Sequence, residues 1–186
     1  VFGVPFFYLG RLKSESGPLW LGAFLNGLGH VGLQLIALKW LNPWATSGWA
    51  VGLPVLTFLL AAVVGVGRIL SRRYEDSGLT MIGYLISVVA GIAFGYFVIS
   101  HFDTLIATDE TLIIVGSIVG AIPAYFSAKA CALQIYLVRP GGSKALAKLL
   151  VLNGLGGIWG GVVVEAVSVL GGLSYATVLV AGFYLF

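Results

Sequence analysis

Long apolar runs separated by short polar stretches dominate the pattern of this chain. A helix needs about 20 apolar residues to cross the hydrocarbon core of a bilayer. Runs of about that length occupy residues 18–39, 49–70, 78–100 and 111–138, and a longer one covers 145–186. The pattern therefore predicts an all-α fold, a polytopic bundle of transmembrane helices.

The last apolar run is too long for a single crossing. Gly171 and Gly172 lie within it, and paired glycines mark turns. We expect a span at 145–168, a turn at these glycines and a shorter returning span at 170–186. The alternative is one long helix, tilted or kinked. The prediction is thus five or six spans.

Residues 1–17 begin with an apolar segment that is too short to span, and we expect them to lie at the membrane interface or against a partner. The predicted loops are short and leave no room for a soluble domain. We therefore treat 1–186 as a single transmembrane domain.

Composition supports a lipid environment. Of the 186 residues, 59% are hydrophobic and 9% are charged, and the mean hydropathy is +1.04. Soluble domains carry about 25% charged residues, so this chain has too few to cover a surface in water. The net charge of +3 fits basic cytoplasmic loops better than nucleic-acid binding, which we do not expect. The lipid bilayer is the expected partner.

Charge predicts the orientation. Eight basic residues fall before the first span, between the second and third, and between the fourth and fifth: Arg11, Lys13, Arg68, Arg72, Arg73, Arg139, Lys144 and Lys148. The opposite side has Lys39 together with Asp103, Asp109 and Glu110. Because basic loops stay in the cytoplasm, we expect a cytoplasmic N-terminus. A prokaryotic plasma (inner) membrane is the expected location, with an organelle membrane as the alternative.

Four of these basic residues, Arg72, Arg73, Arg139 and Lys144, are candidates for contact with lipid headgroups.

Glycines at four-residue spacing predict close helix packing. The pairs are Gly91 with Gly95, Gly116 with Gly120, Gly156 with Gly160, and Gly157 with Gly161. They could pack within the chain or against another subunit.

The pentapeptide Leu-Asn-Gly-Leu-Gly also occurs twice, at 25–29 and 152–156, by duplication or by chance.

Polar residues within the first span form a stripe. Asn26, His30 and Gln34 are four residues apart and share one helix face. Such a stripe could line a hydrated path or binding site, or join helices through hydrogen bonds. Asn153 is expected at matched depth in the fifth span.

Two charged residues inside predicted spans need partners. Glu165 lies towards the outer end of the fifth span, where Lys39 is its most plausible partner. It could also be an interfacial carboxylate that reaches outer water, could handle an ion or proton, or could pair with a charge on another subunit. Lys129, in the inner half of the fourth span, is expected to extend towards the inner surface.

No catalytic, metal-binding or cofactor-binding motif is recognisable. The two histidines, His30 and His101, are expected at different depths, which disfavours a haem held by both. A haem held by a single ligand from this chain remains an alternative. We therefore expect no enzyme activity, no metal and no cofactor.

Two function classes fit this sequence. The first is a membrane subunit with a scaffolding or assembly role, whose partners are other membrane subunits or copies of itself. Short loops, few polar residues and glycine faces favour it. The alternative is a small channel or transporter for an ion or small solute, built on the polar stripe. Together, these features of the sequence favour the membrane subunit.

Overall fold

The computed structural model describes residues 17–70, 77–101 and 108–185, and within these ranges every regular element is helical. Residues 1–16 and the loop arginines Arg72 and Arg73 lie outside the described residues. The helices are α1 (Gly17–Leu41), α2 (Gly48–Leu70), α3 (Ser77–Ser100), α4 (Asp109–Val138), α5 (Gly142–Gly171) and α6 (Leu173–Leu185). A 3-10 turn, Arg139–Gly141, joins α4 to α5.

Four segments of the described chain are long and apolar enough to cross a membrane: Leu19–Leu41, Gly48–Ile69, Thr80–Ser100 and Asp109–Gly171. The last contains both α4 and α5. The predicted turn after α5 is present, because the helix ends at Gly171 and Gly172 adopts φ +90°, which L side chains rarely do. The single continuous helix is therefore wrong. At 1.5 Å per residue, α6 is only about 20 Å long.

Helices α1 and α5 run parallel, and their backbones approach each other closely. A Cβ atom at Gly27 would overlap the carbonyl oxygen of Asn153, and one at Gly156 would overlap that of Phe24. One at Gly32 would lie 2.9 Å from Val164. Only glycine lets the two backbones approach so closely. The two copies of Leu-Asn-Gly-Leu-Gly thus meet at this crossing.

Helices α2 and α4 form a second parallel pair, and α3 and α6 complete the bundle. Gly116 of α4 faces Pro54 of α2, and farther along Gly65 faces Ala128. Helix α3 runs antiparallel to α4, with Gly91 against Pro123 and Gly95 against Val119. All four predicted glycine pairs thus have at least one member packed within this chain. Helices α2 and α4 both continue through their prolines, Pro54 and Pro123.

The two ends of the bundle differ in polar contacts. At one end, here called the Trp20 end, the ammonium of Lys148 lies 4.5 Å from the ring centroid of Trp20. At the other, the Lys39 end, Thr46 donates to both carboxylate oxygens of Asp109 through its backbone N–H and its hydroxyl, at 3.1 and 2.8 Å. Thr108 caps α4 there by accepting a hydrogen bond from the Thr111 backbone N–H.

Candidate functional site

The crossing of α1 and α5 brings two asparagines of the repeated pentapeptide to one site. Asn153 donates from Nδ2 to the carbonyl oxygen of Ala23 at 3.1 Å. This bond leaves the side-chain oxygen of Asn153 available to accept a hydrogen bond from another group. Asn26 is 4% exposed, and its Oδ1 has no hydrogen-bond partner among the residues that the structure describes. A buried amide oxygen without a partner is costly in a folded protein.

His30 belongs to a hydrogen-bonded chain that spans three helices. Its Nδ1 lies 3.0 Å from the hydroxyl of Ser127 on α4. That hydroxyl lies 2.8 Å from the phenol oxygen of Tyr184 on α6. Ser127 and Tyr184 are both buried, while His30 is partly exposed. The chain of bonds fixes the imidazole ring in place.

Donor and acceptor balance assigns the direction of this chain. Tyr184 is buried, and within the described ranges its hydroxyl has Ser127 as its hydrogen-bond partner. If Tyr184 donates to Ser127, and Ser127 donates to Nδ1 of His30, neither hydroxyl proton is left unpaired. The reverse direction would leave the buried phenol proton without an acceptor, which is the costlier arrangement. In the assigned tautomer, Nε2 of His30 carries the proton and can donate to another molecule.

Two adjoining cavities share His30 and Asn153. One, here called the His30 cavity, has a volume of about 310 Å³ and is lined by Asn26, His30, Ala62, Val63, Val66, Ala128, Cys131 and Asn153. The other, of about 410 Å³, lies between α1 and α5 and is lined by Gly27, His30, Val31, Asn153, Gly154, Gly157 and Ile158. Val63 is 69% exposed and Ile158 is 67% exposed, so both cavities reach the side of the bundle.

The predicted polar stripe is divided between two cavities. Gln34 lines a separate cavity of about 210 Å³, here called the Gln34 cavity, between α1, α2 and α4. Phe58 of α2 lines the Gln34 cavity, and its ring centroid lies 5.6 Å from that of His30. Phe58 therefore stands where the two cavities approach each other.

Glu165 is not part of this arrangement. Its carboxylate pairs with the ammonium of Lys39 at 3.1 Å, at the Lys39 end of α1 and α5. The expected partner is thus confirmed. The side chains of Lys39 and Glu165 are 33% and 52% exposed, so the pair is partly solvated or lies at a surface.

Lys129 has surroundings that the sequence analysis missed. Its ammonium lies 4.5 Å from the ring centroid of Tyr84 and 4.9 Å from that of Tyr125. At these distances the ammonium makes cation–π contacts with both rings. The expected extension towards the inner surface stays a prediction. Arg139 and Lys144, the described headgroup candidates, are exposed around the turn between α4 and α5.

Three residues of the site carried no recognisable signal in the sequence. Ser127, Tyr184 and Phe58 lie in apolar runs, where a hydroxyl or an aromatic ring is unremarkable. Their proximity to His30 depends on how α2, α4 and α6 pack around α1.

No protein-family model, curated protein or solved structure matches this chain. The function is therefore inferred from the geometry of the site itself.

Proposed function

We propose that this protein is an integral membrane protein that binds a small solute at the His30 cavity and moves it between α1, α2 and α4 to the Gln34 cavity. For its placement, we propose that α1 to α5 cross the bilayer and that α6 returns part of the way. The lengths of these five helices, each at least 23 residues, support crossings of a core about 30 Å thick.

The orientation follows from charge. Lys148, Arg139 and Lys144 lie at the Trp20 end, whereas Asp109 lies at the Lys39 end with the paired Lys39 and Glu165. With basic residues inside, the Trp20 end faces the cytoplasm and α1 runs outwards. We propose a prokaryotic plasma membrane as the location.

The observation that carries the proposed function is the environment of His30. A residue that only joins helices would be packed in a dry contact. His30 instead lines a cavity together with Asn26 and Asn153, with Nε2 assigned as a donor that no described residue accepts. Polar groups placed in an otherwise apolar cavity are typical of a binding site within a membrane.

The cavities also offer a direction of movement. The His30 cavity and the Gln34 cavity are both lined by residues of α1, α2 and α4, and Phe58 is near both. A solute that passes from one to the other must displace the Phe58 ring. We propose that this side chain controls passage.

Flux into proteoliposomes tests this function. The probes are potassium ions and protons, followed by dyes, and urea and glycerol, followed by light scattering. Asn26→Leu and His30→Ala should lower the flux of a transported probe about three- to tenfold, because each removes one hydrogen bond to the bound solute, worth about 0.5–1.5 kcal/mol. Leu21→Ala, at a 52% exposed position of α1, is the control and should leave flux unchanged.

Two results would count against this function. Flux no faster than in protein-free liposomes for every probe would exclude transport of ions and small polar solutes. If Asn26→Leu and His30→Ala both leave the flux unchanged, the His30 cavity is excluded as its route.

The subunit hypothesis is the second candidate. The glycine pairs that favoured it each have at least one member packed within the chain, so they no longer point to a partner. The exposed apolar faces fit lipid equally well. Purification in mild detergent, with identification of stoichiometric partners, is the experiment that would restore this hypothesis.

A further inference from the structure

We infer that the ligand of the His30 cavity is a neutral amphiphile with a carbonyl acceptor and an N–H or O–H donor, which enters sideways from the lipid. This inference rests on the proposed function and specifies its substrate class. Three observations carry it: the uncharged lining, the donors and acceptors left free, and the lateral opening.

The first observation is the absence of charge. The polar groups in the lining are the amides of Asn26 and Asn153, the His30 imidazole and the Cys131 thiol. The charged pair Lys39 and Glu165 lies elsewhere, at the Lys39 end of the bundle. A charged ligand in an apolar cavity requires an opposite charge or several oriented dipoles. This lining offers hydrogen bonds alone and therefore favours a neutral molecule.

The second observation is the set of unused hydrogen-bonding atoms. The Asn26 Oδ1 is an acceptor without a partner, and Nε2 of His30 is the assigned donor. A carboxamide carries the complementary groups, an N–H that can donate to Asn26 and a carbonyl that can accept from His30. A hydroxy ester could do the same. A ligand that only accepts would leave Asn26 unsatisfied.

The third observation is the opening. Val63 lines the cavity and is 69% exposed, and its neighbours on the outer face of α2, Leu59, Leu60 and Val64, are also apolar and exposed. In the proposed membrane placement this opening faces lipid tails. An alkyl chain can remain there while the polar head reaches His30 and Asn26. A fully polar solute would have no comparable route through this side.

Cys131 provides a native reporter because it is the single cysteine of the chain and lines the cavity. The protein is placed in phosphatidylcholine vesicles and treated with neutral N-phenylmaleimide or with a charged methanethiosulfonate carrying trimethylammonium. Labelling is followed by intact mass. Cys131→Ala with Ile86→Cys is the control, since Ile86 is 59% exposed on α3 at a level close to that of Cys131.

We expect the neutral reagent to label Cys131 and the charged reagent to leave it unmodified. Octanamide at about ten times its Kd should slow labelling about tenfold, because only the unoccupied cavity reacts. Octanoate and octylammonium, of equal chain length, should not protect. Octanamide should not slow labelling of the Ile86→Cys control. At the same octanamide concentration, Asn26→Leu and, separately, His30→Phe should reduce protection to about two- to fourfold, because loss of one hydrogen bond weakens binding about three- to tenfold.

Several outcomes would overturn the inference. These are labelling of the Ile86→Cys control without labelling of Cys131, modification of Cys131 by the charged reagent, and protection by a charged amphiphile. Labelling of Cys131 that octanamide does not slow would also overturn it. Ion flux into proteoliposomes that falls in Asn26→Leu and His30→Ala would refute the neutral ligand, although it would support transport. Absence of flux for every ion and small polar probe, with octanamide protection retained, would refute transport of those solutes and leave the binding site intact.

Discussion

The backbone contact between α1 and α5 can be tested by adding one methyl group. In Gly156→Ala the new Cβ would overlap the carbonyl oxygen of Phe24 and lie 2.9 Å from its carbonyl carbon. Both neighbours are backbone atoms and cannot rotate away, so the helices must separate. Such overpacking costs about 1–3 kcal/mol.

Gly154→Ala is the matched control on the same helix. A Cβ there would meet no atom within 4 Å. Both substitutions gain the higher helix propensity of alanine, worth up to about 1 kcal/mol. That gain cancels in the comparison. The free energy of unfolding of Gly156→Ala should therefore be lower than that of Gly154→Ala by about 1–3 kcal/mol.

Reversible unfolding in mixed dodecylmaltoside and SDS micelles, followed by circular dichroism, measures this difference. Gly27→Ala strains the same crossing, so the double variant with Gly156→Ala should lose less stability than the sum of the single variants. Equal stability of Gly154→Ala and Gly156→Ala would refute the close approach of α1 and α5.

Three further predictions concern side chains. Phe58→Ala should raise solute flux in proteoliposomes and Phe58→Trp should lower it, while equal flux in both would exclude control of passage by this ring. Ser127→Ala should reduce the free energy of unfolding by about 1–3 kcal/mol, because it leaves the buried phenol proton of Tyr184 unpaired. Tyr184→Phe should reduce it less. If Tyr184→Phe is the more destabilising substitution, the assigned direction of the hydrogen bonds is reversed. Lys39→Met should cost less than about 1 kcal/mol, because the pair with Glu165 is substantially exposed; a larger loss in the same unfolding assay would show that the pair is desolvated.

Residue chemistry along the chain was sufficient to predict several features. The positions of the helices follow from apolar length, and the break after α5 follows from Gly171 and Gly172. The pairing of Lys39 with Glu165 followed from their expected depth in two parallel helices. Each of these depends on a strong local property, such as charge, backbone freedom or the length of an apolar run.

The partners of His30 could not be predicted in this way. Ser127 is 97 residues away in sequence, and Tyr184 lies 57 residues beyond Ser127. Their contact depends on the rotation of α4 and α6 about their own axes. Weak amphipathicity leaves that rotation undetermined, because apolar residues occur on all sides of these helices. For the same reason, the sequence could not show that Asn26 and His30 line one cavity and Gln34 lines another.

The pairing of α1 with α5 also has a consequence for biosynthesis. Among the described helices α1 is made first, but the surface that fits its glycines is made more than 100 residues later. During that interval α2, α3 and α4 can already pack together, while Asn26 and His30 of α1 lack the neighbours that α5 and α6 supply. The arrival of α5 supplies Asn153 and so completes the lining of the His30 cavity, and α6 then brings Tyr184 to Ser127. Packing of the last two helices and completion of the site therefore belong to the same late stage of folding.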